Sequence, residues 1–190
     1  MSAVPFRLAL VGNPNCGKTS LFNRLTGARA KVANYPGVTV ERRSGMVSEI
    51  ESPAELLDLP GTYSLFVTSP DEQVARDVIL GQLAGERRPD LMVAVVDACN
   101  LRLGLRLVME LRSLNRPMVL ALNQMDEARR RGISINTVAL SQAIGVPISK
   151  LSRSIAGAFL NCARLWKPMP VCRLIHPVSK PSLSAIARNP

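Results

Sequence analysis

The sequence predicts an α/β fold, a mostly parallel sheet with helices on both faces. Three observations carry that prediction. Short apolar runs at residues 6–11 (FRLALV), 91–96 (LMVAVV) and 118–122 (MVLAL) show almost no polar alternation, as strands buried on both faces require. Amphipathic stretches lie between such runs, and strand and helix keep alternating along the chain. A glycine-rich turn joins the first run to the first helical stretch.

Taken in order, residues 6–11 read as a buried strand. Residues 18–26 read as a helix with Leu21, Phe22 and Leu25 on one side, ended by Gly27. Residues 28–39 read as a loop containing Asn34, Tyr35, Pro36 and Gly37. Residues 40–50 and 55–59 read as two strands joined by a turn at Ser52 and Pro53. Residues 71–83 form an amphipathic helix, started by Ser69 and Pro70 and stopped near Gly85. Strand 91–96, helix 101–114 and strand 118–122 follow, and no internal repeat is visible.

Composition bounds the class. The chain has 190 residues, 47% hydrophobic and 20% charged, which suits one globular domain with a real core. No uninterrupted apolar run reaches the length of a membrane-spanning helix, and the first residues lack the marks of a signal peptide. Cys16, Cys99, Cys162 and Cys172 contain no C-x-x-C pair, which argues for a reducing cytosol and against zinc. The net charge of +10 is not spread evenly. Residues 1–127 hold all 14 Asp and Glu and an equal number of Lys and Arg, so the body is neutral. Residues 128–190 are basic throughout and hold 6 of the 14 prolines.

Three motifs carry chemistry. Gly12, Asn13, Pro14, Asn15, Cys16, Gly17, Lys18 and Thr19 fit G-x-x-x-x-G-K-S/T, between a predicted strand and helix. Backbone N–H groups of such a loop, through Ser20, close around phosphate oxygens, and the N-terminus of the helix that follows adds a favourable dipole. Lys18 neutralises β- and γ-phosphate charge, and the Thr19 hydroxyl ligates Mg2+. Asp58, Leu59, Pro60 and Gly61 end a strand about forty residues later, where a carboxylate can hold Mg2+ through water and the Gly61 N–H can meet a γ-phosphate. Asn123, Gln124, Met125 and Asp126 follow the strand at 118–122. An Asp carboxylate there accepts from guanine N1–H and the 2-amino group, and adenine offers neither donor. The reading is a guanine-nucleotide site on a P-loop NTPase three-layer sandwich, the small GTPase fold.

Residues 6 to about 148 resemble the cytosolic G domain of FeoB-type ferrous iron transporters. The phrases that carry the resemblance are GNPNCGKTSLFNRLTG, VANYPGVTVERRSG, DLPGTYSL, DEQVARDVI, VVDACNLRLGL and LALNQMDEARRRGI. They cover about three quarters of the chain. The resemblance implies that Thr39 closes on Mg2+ and γ-phosphate in the GTP state, with Gly37 and Val38 in the same mobile loop. It also implies that Asn15 coordinates an activating K+, unless it only fixes its loop by hydrogen bonding. Catalysis would then rest on Asn15, Lys18, Thr39 and Gly61. Thr62 stands where Ras-like proteins place a water-orienting Gln, so slow hydrolysis of GTP to GDP and phosphate is expected. Gln124, where many GTPases have Lys, is expected to change specificity little. The domain would sit on the cytosolic face of the bacterial inner membrane, attached to a transport domain that this chain lacks.

From Ser149 onward the resemblance ends, so residues 1–148 are read as the G domain and 149–190 as a basic Pro- and Ser-rich tail. The abrupt change is what translation in a shifted reading frame, ended by an early stop, would produce; a divergent tail is the rival. Ile155, Phe159, Cys162 and Trp166 make an apolar stripe flanked by Arg153, Arg164 and Lys167, suited to a membrane surface or a substitute closing helix. An RNA-binding G protein would also use such a basic tail, but no nucleic-acid partner is expected. A non-catalytic nucleotide switch is the third alternative. His176 reads as an exposed loop residue. If residues 149–166 fail to cover the sheet, the loss is on the order of 5–10 kcal/mol, and the domain is marginal without nucleotide.

Overall fold

The computed structural model describes residues 5–27, 30–47 and 54–150. Strand β1 (Phe6–Val11) leads to α1 (Lys18–Thr26), and both match the expected bounds. β2 (Lys31–Asn34), β3 (Glu41–Val47) and β4 (Ala54–Asp58) follow, then α2 (Pro70–Leu80). β5 (Leu91–Asp97) runs through a short 3-10 turn, Ala98–Asn100, into α3 (Leu101–Ser113). β6 (Met118–Asn123), α4 (Met125–Arg130), α5 (Thr137–Ile144) and β7 (Ile148–Lys150) complete the described elements. The turn expected at Ser52 and Pro53, the apolar stripe from Ile155 to Trp166, Cys162, Cys172 and His176 lie outside the described residues.

The sheet has the order β2-β3-β4-β1-β5-β6-β7. β1 pairs in parallel with β4 on one side and β5 on the other, with Leu8 opposite Leu56 and Leu91. β5–β6 and β6–β7 are also parallel, whereas β2–β3 and β3–β4 are antiparallel. Neighbouring strands depart in opposite directions from β1, so their carboxyl-end loops open a crevice there, where open α/β sheets bind ligands.

Alternation along β5 divides the core. Met92, Ala94 and Val96 join Val74, Val78, Leu107, Leu111, Ala128 and Leu140, from helices α2 to α5. Leu91, Val93 and Val95 join Leu21, Phe22 and Leu25 of α1 on the other face. The six residues from Leu91 to Val96 are all buried, which explains their apolar run.

Three stretches depart from expectation. Residues 28–39 read as a loop in the sequence, but Lys31–Asn34 pairs with β3, Val32 opposite Arg43. All four side chains are exposed, so no burial periodicity marks the strand in sequence. α2 ends at Gly81 and not near Gly85. Gly81 takes a left-handed φ of 74°, and Gln82 N then donates to Asp77 O at 2.7 Å, closing the helix. α4 and α5 fall between residues 123 and 148, a stretch to which the sequence pattern assigns no element. α4 is only six residues long; α5 is capped by Asn136, whose side chain accepts from Ala139 N at 3.0 Å.

α3 lies on β5 through Gly104. A Cβ on Gly104 would sit 2.4 Å from Val96 Cγ1 and 2.9 Å from Cγ2, and β-branched Val96 has little freedom to yield. Gly104→Ala is therefore expected to cost about 1–3 kcal/mol in urea unfolding. Adding Val96→Ala should make the double variant less destabilised than the two single losses together, the signature of a shared contact.

Candidate functional site

The three motifs meet at the carboxyl ends of the strands. The loop from Gly12 to Gly17 leaves β1 and enters α1, and it fits only because its glycines have no side chains. A Cβ on Gly12 would lie 2.4 Å from Val95 O, and one on Gly17 would lie 2.1 Å from Asn123 Nδ2. Gly17 has a φ of 90° and Asn15 a φ of 62°, the left-handed turns that bend the loop back on itself. Pro14 packs against Gly61, where an added Cβ would come 3.0 Å from its backbone and ring.

Hydrogen bonds join these loops. Asn123 Nδ2 donates to Cys16 O at 2.9 Å, across 107 residues of sequence. Thr62 N donates to Gly12 O at 3.1 Å. Thr19 Oγ1 donates to Asp58 Oδ2 at 2.8 Å. Lys18 is buried and lies back over its own loop, with Nζ donating to Gly12 O (3.1 Å) and Asn13 O (3.2 Å).

Three buried oxygens, Asp58 Oδ1, Asn13 Oδ1 and the Tyr35 hydroxyl, have no hydrogen-bond partner among the described residues. Burial pushes the Asp58 carboxyl above its usual range, and the Thr19 hydroxyl and the Lys18 ammonium oppose that shift. Burial likewise raises the Cys16 thiol, with the Lys18 charge opposing, so it is held as a neutral packing group. Asn15, Thr19 and Ser20 are exposed, Leu59 is buried and Pro60 is half-buried.

Gly37, Val38 and Thr39 form an exposed tip between two buried residues, Tyr35 and Val40, and Tyr35 N donates to Val40 O at 2.9 Å. Thr39 lines a cleft of about 320 Å³ together with Lys18, Thr19, Asp58 and Gly61. At the third motif Gln124 has a φ of 58° and turns the chain into α4. Met125 is buried, which leaves the Asp126 carboxylate exposed beside Arg129, 3.9 Å away. The structure therefore brings the phosphate loop, the Asp58 strand end and Asn123 into contact, with Thr39 on the same cleft.

Sequence reasoning missed two carboxylates. Glu72, in the first turn of α2, is buried beneath the segment after Gly61. Its Oε1 accepts from Tyr63 N at 3.3 Å and lies 3.3 Å from Thr62 Oγ1, and its Oε2 accepts from Thr68 N (3.0 Å) and Thr68 Oγ1 (2.6 Å). Ser69 caps the same helix by accepting from Glu72 N. The spacing Ser69-x-x-Glu72 is a capping-box signature, so this signal was present in the sequence. Glu110 on α3 is the second, and no local pattern marks it.

Glu72 also sets a pH dependence. The Thr68 hydroxyl, then the Thr68 amide, hold its carboxyl below the usual range, with burial opposing and the Tyr63 amide and Thr62 hydroxyl assisting. A depressed carboxyl stabilises the fold fully above its unfolded value, about 4.5, and that stability is lost as pH falls through the lower native value. Glu72→Gln should accordingly flatten the loss of stability below pH 4.5. Urea midpoints between pH 3 and 7 measure this, and an acid slope as steep as that of the wild type would contradict it.

Residues 6–158 match the family described as ferrous iron transport protein B. A fusion of Fe(2+) transport protein A and the Fe(2+) transporter FeoB from Porphyromonas gingivalis is 47% identical over 142 residues, covering 75% of this chain and 16% of that protein. The Fe(2+) transporter FeoB of Escherichia coli is 47% identical over 148 residues, covering 76% of this chain and 18% of the relative. That of Legionella pneumophila is 41% identical over 171 residues, covering 84% and 22%. The chain thus spans about a fifth of the length of the curated relatives it matches. Among solved structures, the cytosolic domain of the T. maritima FeoB iron transporter in a GDP form has a TM-score of 0.81 at 35% identity, covering 90% of this chain and 68% of that one. The GMPPNP form of the same domain has a TM-score of 0.73 at 38% identity, covering 84% and 60%. An S. thermophilus NFeoB mutant bound to mGDP has a TM-score of 0.77 at 41% identity, covering 85% and 61%. No helix among the described residues is long and apolar enough to cross a membrane. The fold, the contact of its three motif loops and these matches agree, and the chain belongs to the ferrous iron transport protein B family, over the part that corresponds to the relatives' cytosolic domain.

Proposed function

We propose that this domain binds GTP and GDP with Mg2+, hydrolyses GTP slowly in a K+-dependent way, and reports its nucleotide state to a ferrous-iron transport domain in the cytoplasmic membrane. The observation that carries the reading is the hydrogen-bonded contact of all three motif loops at one crevice.

In this reading the backbone from Gly12 to Ser20 receives the phosphates, with Asn13, Pro14, Cys16 and Gly17 shaping the cradle. Lys18 exchanges its bonds to the Gly12 and Asn13 carbonyls for β- and γ-phosphate oxygens, so its charge is already desolvated at the place where it is needed. Asn123, Gln124, Met125 and Asp126 select guanine. Asp126 is exposed and so available to the base, while Asn123 spends one amide N–H on steadying the phosphate loop. Leu59 and Pro60 hold Gly61 against Pro14, and Gly37 and Val38 carry Thr39.

Mg2+ fits the residues present. Asp58 keeps one buried oxygen without a partner, its other oxygen already meets the Thr19 hydroxyl, and Thr39 lines the same cleft. Thr19, Thr39 and Asp58 would hold it, and Asn15 would hold K+ beside the phosphates. When bound, these cations neutralise charge that develops on the phosphoryl oxygens.

Water attacks the γ-phosphorus, the bond to the bridging oxygen breaks, and GDP and phosphate leave. Thr62 cannot orient that water, because it is buried and its hydroxyl donates to Ser64 O at 2.6 Å. Positioning falls to the Gly61 backbone, so turnover stays far below a typical enzyme's rate of about 10 s⁻¹.

Phosphate release measured in K+ and in Na+ tests this reading. We expect about tenfold or greater stimulation by K+, lost in Asn15→Ala while GDP binding is retained. Equal rates in both salts would remove the K+ role. No release in either salt would leave a non-catalytic nucleotide switch.

A further inference from the structure

Residues 62–68 have little apolar anchorage. Tyr63 is 47% and Phe66 78% exposed, and Leu65 is only half-buried. Polar bonds hold the segment instead, and those at its centre come from α3. Glu110 Oε2 accepts from Ser64 Oγ at 2.7 Å and from Leu65 N at 2.7 Å. Glu110 Oε1 faces Arg106 Nε at 3.6 Å. Helix packing does not require this arrangement, since Leu107, Val108 and Leu111 supply the buried face of α3.

The bonds continue inward. Ser64 O accepts from Thr62 Oγ1 at 2.6 Å, and Thr62 N donates to Gly12 O at 3.1 Å. Glu110 is therefore linked to the phosphate loop through Ser64 and Thr62. Between Thr62 and that loop sits Gly61, packed on Pro14.

We propose that Glu110 is a positioning residue for GTP hydrolysis, holding Ser64 and Leu65 so that the Gly61 backbone stays seated on the phosphate loop. This rests on the reading in which Gly61 N–H meets the γ-phosphate. With the Thr62 hydroxyl turned to Ser64 O, positioning rests on the Gly61 backbone, and the rate depends on how firmly that backbone is held. The two charge-assisted bonds from one carboxylate oxygen are the stronger kind available to a segment that is mostly exposed.

The test uses the full chain and three variants, Glu110→Ala, Glu110→Gln and Ser64→Ala. Its readouts are GTP turnover, binding of a fluorescent GDP analogue, and amide hydrogen exchange at Leu65. Glu110→Ala is expected to lower kcat about tenfold, with KM and GDP affinity within about threefold, and to speed Leu65 exchange about tenfold or more. Glu110→Gln keeps an acceptor oxygen and should recover most of both losses. Ser64→Ala removes one donor and should fall between, and it serves if Glu110→Ala does not fold. An unchanged Leu65 exchange rate, an unchanged or raised kcat, or equal damage in the Gln variant with GDP binding lost would overturn the proposal. If the wild type binds GDP but shows no turnover, the hydrolytic reading fails, and a positioning role in catalysis fails with it. Turnover that survives intact in Glu110→Ala defeats the Glu110 proposal alone.

Discussion

At the carboxyl ends of β1, β4 and β6 three loops pack closely, and at three glycines an added methyl group would fall within 3.0 Å of a neighbouring atom. Gly12 faces the Val95 carbonyl, Gly17 the Asn123 amide and Gly61 the Pro14 backbone. These approaches let Asn123 reach Cys16 O, let Thr62 reach Gly12 O and let Thr19 reach Asp58. The rest of the site depends on this close packing. It fixes one loop from each of three strands against the others, which on the proposed reading lowers the ordering that nucleotide binding would require. It also leaves Asp58 Oδ1 and Asn13 Oδ1 buried without partners, a local cost tolerated where a bound group could satisfy them.

The segment that follows Gly61 is built on a different principle. Its side chains contribute little apolar burial, and two carboxylates from neighbouring helices take its amide and hydroxyl hydrogens: Glu72 at both ends and Glu110 in the middle. Hydrogen bonds of this kind are directional and few, so the segment can exchange one set for another at modest cost. A packed apolar core cannot. On the proposed reading, that difference would suit a stretch that responds to a γ-phosphate while the loops beside it stay still. The same carboxylates connect the stretch to α2 and α3, the two helices through which a change at the phosphates could reach the outer surface.

Much of this was legible in the sequence where local chemistry and tertiary structure agree. β1 and α1 were read correctly at both ends because an apolar run stops at Gly12 and an amphipathic stretch stops at Gly27. β2 was not legible, since its four side chains are all exposed and only backbone pairing makes it a strand. The end of α2 was misplaced because half-buried Leu83 extends the apolar pattern past Gly81, whose left-handed turn has already closed the helix. The motif residues were identifiable one loop at a time. Their mutual contacts were not, because the Asn123–Cys16 bond spans 107 residues. Glu72 carried a capping signal that pointed to a helix start and concealed its second task. Glu110 carried none, since its partners are set only by how α3 lies on β5.

On the proposed reading, three loops distant in sequence act as one guanine-nucleotide site. Amide hydrogen exchange of the full chain, with and without GDP and Mg2+, tests it most directly. Amides in residues 12–20, 58–62 and 123–126 should gain protection together with GDP, and ATP at the same concentration should leave them unchanged. Protection confined to the phosphate loop, or the same protection with ATP, would contradict it.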